Sequence, residues 1–343
     1  MRHVAVRCLR EKQKCCNIKY LVEIQSLMRN QTPTLMAAAT MVFALWGGEL
    51  AAAPRDPCAE SLTRDIPQRA ANAPGGREFA QQISSVSDDE RESLIREQLK
   101  AGNIPQFLRH LVPIRLRSPL PDQSLELVVC AAPDYLAVGS DDDFVLMPMR
   151  LSTALSTASL YGFTLPTTRI VDAINAQAVV HLAPQPLPAG PQMRSTAYSL
   201  LHNELVGAQR SALGAALGEL IAGDKKDLVL TNRLRTHLDR VAIYGWHTDN
   251  GKPIQSLSTV HGWRYADYSH GARLISTRVF VDGISRSIFD VIQDHRLAPV
   301  LSDEGVIGDA IGLIETLNAR AREAMAAVVQ ELIPRLAASA ENH

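Results

Sequence analysis

Aromatic side chains are scarce in this sequence, 5% of 343 residues, so the place where they gather is informative. An excess of charge of either sign is also missing, the formal net charge being -1. That excludes the basic face a nucleic-acid partner requires, and no polybasic block prepares the chain for an anionic membrane. There is no HExxH motif, no close H-x-H pair and no G-x-S-x-G elbow, so the standard metalloprotease and α/β-hydrolase signatures are absent. No internal repeat is visible. What is present is an ordinary globular composition, 46% apolar and 21% charged, long enough for one large core or two modest ones.

The N-terminal part reads as a targeting segment. Leu35 to Trp46 form an uncharged apolar run, preceded by Arg29 and followed by Gly47-Gly48 and Ala51-Ala52-Ala53. A positive flank, a short apolar core and a small-residue exit make a secretory signal peptide. The run is shorter than the roughly 20 residues that span a bilayer. The expected organisation is an N-terminal extension at 1–27, arising from a mis-assigned start, a signal peptide at 28–53, a loose Pro- and Ala-rich lead-in at 54–76, and one domain at 77–343. The cleaved chain is expected to be periplasmic or secreted, with no stable membrane span. Of the five cysteines only Cys58 and Cys130 lie beyond the leader, and an oxidising compartment allows them to pair.

The remaining chain changes period twice. Arg77 to Ile104 is helical, with Ser87 as N-cap and Glu90 at the capping-box position. From Val112 the alternation of strands begins, the acidic triplet Asp141 to Asp143 reading as a solvated turn. Helices are expected at Leu151 to Leu160, Arg169 to Ala178 and Ser195 to Ile221, where His202 reads as solvent-facing. His181 to Gln192, with four prolines, is a crossover. Val241 to His247, the Thr248-Asp249-Asn250-Gly251 turn and Lys252 to Gln255 form a hairpin. Helices return at Phe289 to Leu297 and Ala310 to Leu332. The fold class is therefore α+β: N-terminal helices, a central mixed or antiparallel sheet, and C-terminal packing helices.

The stretch Arg240 to Leu274 holds three of the ten histidines, three of the seven tyrosines and two of the three tryptophans. His247, His261, His270, Asp267, Tyr244 and Tyr268 are the candidate catalytic residues, and Trp246, Trp263, Tyr265, Lys225, Lys226 and Arg273 the candidate substrate-binding ones. One reading is metal: three imidazoles with Asp267 are the ligand types of a catalytic zinc with an open position. A second is metal-free acid/base work, a histidine backed by Asp267 with a tyrosine as partner acid. Lys225 and Lys226 at a strand mouth suit a carboxylate or phosphate. Strand alternation puts Gly245 and His247 on one face and Tyr244 and Trp246 on the other, and likewise separates Ser269 from His270, which makes Ser269 a poor nucleophile.

Ser269-His270-Gly271-Ala272-Arg273-Leu274, with His261-Gly262 upstream, resembles the L,D-transpeptidase signature, in which a Ser-His-Gly-Cys run followed by an Arg carries the nucleophilic thiol. Ala272 stands where the cysteine belongs and one residue is missing before the Arg, so that reaction has no nucleophile here. More broadly, Asp134 to Asp141, Ala242 to His247 and Asp267 to Gly271 resemble an exported bacterial family without an assigned activity, over most of residues 77–305. That resemblance implies one exported folded unit. The expected function is a hydrolase acting on a cell-envelope or extracellular polymer. The alternative is a binding protein for carbohydrate, peptide or another small ligand.

Overall fold

The computed structural model describes residues 56–59, 65–119, 124–323 and 326. They belong to a unit running from Asp56 to His343, and the expected extension and leader lie outside the described residues. The class is α+β, as the alternating periods suggest. Among the described residues no helix is long and apolar enough to cross a membrane.

Two helices open the unit, α1 (Gly76–Gln82) and α2 (Asp88–Lys100). Ser87 caps α2 by accepting from the Glu90 amide, as its spacing predicts. Residues 65–76, expected to be loose, are instead tied down. The buried Arg109 guanidinium donates to the carbonyls of Ile66, Pro67 and Gly102.

The strands follow: β1 (Val112–Arg117), β2 (Glu126–Ala131), then the ribbon β3 (Ala137–Gly139) and β4 (Phe144–Leu146). After α3 (Leu151–Leu160) come β5 (Phe163–Thr164), α4 (Thr168–Gln177) and β6 (Val180–His181). The long helix α5 spans Thr196–Leu213 and stops at Gly214 in the left-handed region. That is eight residues before the expected end at Ile221, because β7 (Ile221–Ala222) pairs with β6. Next lie β8 (Lys226–Leu228), α6 (Arg233–Thr236), β9 (Ile243–His247), β10 (Pro253–Ser258) and β11 (His270–Gly271). The chain continues through β12 (Ile275–Val281), β13 (Ile284–Ser287), α7 (Ile288–Gln293), α8 (Ala298–Leu301) and a helix from residue 310 to 323, α9.

In place of one central sheet, the described residues form two larger sheets, with β3-β4 and β6-β7 as separate two-stranded ribbons. One runs β1-β2-β12-β13, with β5 also on β12, all antiparallel. The other runs β10-β9-β8-β11 and is mixed, β11 lying parallel to β8. Strand β2 is buried on both faces: Leu127 and Val129 pack with Ile170, Ile174, Val291 and Val300 of α4, α7 and α8, whereas Cys130 enters the other core with Phe79, Ile95 and Leu99. There Cys130 forms a disulfide with Cys58. The second sheet, with β8 at its centre, carries the candidate residues.

Candidate functional site

Strand β8 divides the expected cluster. On one side His247 sits beside Asp172 of α4, its Nε2 2.9 Å from Oδ1. The Tyr244 hydroxyl donates to the same carboxylate at 2.9 and 3.1 Å. Regular alternation would have placed these two side chains on opposite faces. Gly245 at φ +100 and Trp246 at φ +57 leave the extended region between them and turn both toward Asp172. The carboxylate that orients the imidazole is on the open side, while the imidazole itself is buried. A catalytic base needs the reverse, its orienting acid behind and its free nitrogen forward. Asp227, raised to about 7 by burial against the opposing pull of Arg273 and Tyr135, completes this cluster.

On the other side of β8 lies Asp267, 2% exposed. Its Oδ1 accepts from the Ser269 amide at 2.8 Å and the Ser269 hydroxyl at 2.6 Å, and its Oδ2 from the Tyr265 hydroxyl at 2.9 Å. His270 is 1% exposed, with Nε2 3.9 Å from Asp267 Oδ2 and neither ring nitrogen hydrogen-bonded. Ser269 and His270 were expected to point apart. They do not, because residues 267–270 form a turn closed by the His270 amide on the Asp267 carbonyl, and both side chains meet one carboxylate. Ser269 is fully buried with its hydroxyl committed to Asp267, so it is no nucleophile in this arrangement. His261 stacks on Tyr265 at 4.0 Å, and Tyr265 meets His270 edge-on at 5.6 Å.

Burial governs the protonation of this group. His270 is pushed down to about 4, chiefly by desolvation, with Asp267 opposing and Lys226 reinforcing. His261 is lowered for the same first reason. For Asp267 burial works against ionisation, but His270, the two Ser269 donors and Lys226 outweigh it and hold the carboxyl below its ordinary value. Burial, together with the Asp267 charge, raises Tyr265. At neutral pH the pair is therefore a carboxylate beside a neutral imidazole.

The metal expectation is corrected here. His247 is spent on Asp172 across β8 from His261 and His270, and among the described residues no group of three His, Cys, Asp or Glu could hold a metal ion. Several candidate residues, the catalytic candidate Tyr268 and binding candidates among them, also turn out to serve the fold. Arg273, 1% exposed, donates to the carbonyls of Ala132 and Ile221 and covers the Tyr135 ring at 4.3 Å. The Tyr268 hydroxyl accepts from the Leu187 amide and so fastens the proline-rich crossover. Lys225 is 1% exposed, donates to the Tyr268 carbonyl at 2.6 Å, and is lowered to about 8 by burial. Lys226 lies 4.8 Å from the centre of the buried Trp246 ring. Trp263 stands elsewhere, its ring centre 5.9 Å from the Arg150 guanidinium and 5.2 Å from that of Arg264, in a cleft of about 260 Å³ beside α9.

Asp267, but not His270, lines a narrow crevice of about 10 Å³ between α1, Met147-Pro148, Ala266 and the start of α5, whose lining also includes Arg91 and Arg194. That holds about one water molecule. On α5, Thr196 and Ser199 line it, and one turn further His202 is fully buried against the Tyr268 ring at 5.1 Å. His202 was expected to face solvent. Instead Thr196, Ser199, His202, Val206 and Arg210 form the buried stripe of α5. Neither His202 nitrogen has a hydrogen-bond partner, and desolvation pushes it down to about 2. Sequence reasoning also missed Asp172, Asp227, Arg91 and Arg194. The i, i+3, i+6 spacing of Thr196, Ser199 and His202 was the one readable signal, since polar residues at helical spacing share a face.

No family model matches the chain, and no curated protein or solved structure matches it either.

Proposed function

We propose that this chain is an exported, metal-independent hydrolase whose proton-transfer group is His270, acting on a cell-envelope or extracellular polymer. The observation that carries this reading is the buried, neutral His270 imidazole with both nitrogens unpaired beside a firmly held carboxylate. A buried polar group without a partner costs about 1–3 kcal/mol, so it calls for an explanation, and a catalytic role is one. His270 takes a proton from water as the resulting hydroxide adds to the substrate carbonyl, and returns it to the leaving group as the scissile bond breaks. Asp267 holds the imidazolium that forms between these steps. Tyr265, in contact with both, keeps the carboxylate oriented. The Cys58–Cys130 disulfide supports an oxidising compartment, periplasmic or secreted.

The test is release of new ends by cleavage of the amide or ester bonds of envelope glycopeptide, by wild type and by His270→Asn. Loss of about a hundredfold or more in rate, with wild-type activity unaffected by chelator, is expected. Equal rates for the two proteins exclude His270. A second reading, a non-catalytic carbohydrate- or peptide-binding protein, is favoured by the cleft at Trp263, whose indole and apolar walls of Leu151, Leu238 and Leu317 suit a ring or side chain.

A further inference from the structure

The cleft at Trp263 is lined by two chemically distinct sets of groups, and the acid/base site uses neither. Leu151 of α3, Leu238 and Leu317 of α9 are apolar, whereas Asp239, Arg240, Arg320 and Glu323 are charged. On this lining the formal charges cancel, two carboxylates against two guanidiniums, so nothing selects for a ligand of either sign. The charged groups are open to water: the Asp239 side chain is 65% exposed, that of Arg240 40%, and Arg320 and Glu323 are exposed as well. Trp263 is half-buried and firmly placed. Its amide donates to the Asp239 carbonyl at 2.8 Å, and the Arg150 and Arg264 guanidiniums lie over its ring. Those two guanidiniums share one carboxylate, Asp89, one on each oxygen.

We propose that this cleft binds one uncharged sugar ring of a glycan, with the Trp263 indole as its platform. The inference rests on the reading of the cleft as a binding site and names its occupant. A sugar ring presents C–H groups on its faces and hydroxyls around its edge, so it needs apolar surface flanked by both donors and acceptors. The leucines and the indole supply the first. Asp239 and Glu323 accept, Arg320 donates, and the Ser152 hydroxyl does either. Arg240 gives one N–H to the Val260 carbonyl and has others to offer. An apolar peptide side chain would use the leucines alone, and any charged group it covered would be left without a partner, which is costly. Gathered on Asp89, Arg150 and Arg264 take one side of the indole and leave the other to the ligand. At about 260 Å³ the cleft falls just under the range of about 300–1,000 Å³ typical for drug-sized ligands, which suits a single ring with the rest of the glycan outside.

The test follows the Trp263 indole N–H resonance of the ¹⁵N-labelled full-length chain, assigned with Trp263→Phe. The probes are maltotriose, tri-N-acetylchitotriose and the uncharged peptide N-acetyl-Leu-Phe-amide, each titrated separately. At least one trisaccharide is expected to move that resonance saturably, and to bind more tightly than the peptide. Asp239→Ala should weaken sugar binding about tenfold, the usual loss of a hydrogen bond to a charged group. Trp263→Ala, followed by calorimetry, should weaken it about tenfold or more through lost apolar contact. Asp239 is exposed, so its variant remains informative if Trp263→Ala disturbs folding. Neither trisaccharide binding, the peptide binding as tightly as the better sugar, or both variants binding sugar as wild type does would overturn the proposal. Peptide binding without sugar binding removes this occupant and leaves the cleft a binding site. Binding of no probe removes both, and neither result bears on His270, because turnover is not read.

Discussion

His202 and His270 are the histidines burial pushes down furthest, and both should report themselves through pH. His202 is fully buried and its folded value is about 2, while the unfolded imidazole takes a proton near 6.5. Below pH 6.5 the unfolded chain therefore binds a proton the fold refuses, and stability falls as pH falls. Asp224 and Asp227 run the other way, because burial raises them to about 6 and about 7 and the fold keeps their protons longer. A difference measurement removes that opposition. His202→Leu should gain on wild type by about 1.4 kcal/mol for each pH unit below 6.5, read from urea unfolding at pH 7, 6 and 5. A constant gap across that range would mean His202 is protonated in the fold. No local pattern signals this burial: a histidine among apolar helix positions is equally consistent with a solvent-facing face, and only the packing of α5 against Tyr268 decides.

At the scale of elements, much of the secondary structure was legible because it rests on local rules. The Ser87 cap, the helix Leu151 to Leu160 and the strand ending at His247 all follow from spacing and capping. The facing of the site residues was not legible, since two short departures from regular geometry redirect it. Gly245 is the sharper case. A Cβ there would lie 3.3 Å from Val171 Cγ1 and 3.4 Å from Asp227 Oδ2, at φ +100. Gly245→Ala should therefore cost about 1–3 kcal/mol in denaturant unfolding and loosen His247 from Asp172. A loss under about 0.5 kcal/mol would show that the strand bend does not depend on that glycine. The turn at residues 267–270 is the second departure, and it converts an expected strand pair into a carboxylate–imidazole pair.

Across the whole molecule the α+β class could be read from the sequence, whereas the division into two sheets depended on long-range pairing such as β11 with β8, which no local pattern encodes. The disulfide joins residues 72 apart in sequence, and chain entropy gives such a link about 4 kcal/mol of stability. Cys58→Ser with Cys130→Ser should lower stability by up to that amount and leave wild-type stability sensitive to reductant; no change under reductant would mean the thiols are unpaired in solution. Protein purified without chelator is expected to unfold at the same temperature with and without EDTA, because no three-ligand set exists among the described residues. The central claim, a buried neutral imidazole at His270 poised beside Asp267, is tested most directly by following the imidazole resonances of ¹⁵N-labelled wild type from pH 8 to pH 3, with His270→Asn giving the assignment. His270 should stay neutral until about pH 4; titration near 6.5, the ordinary value of a solvated histidine, would contradict it.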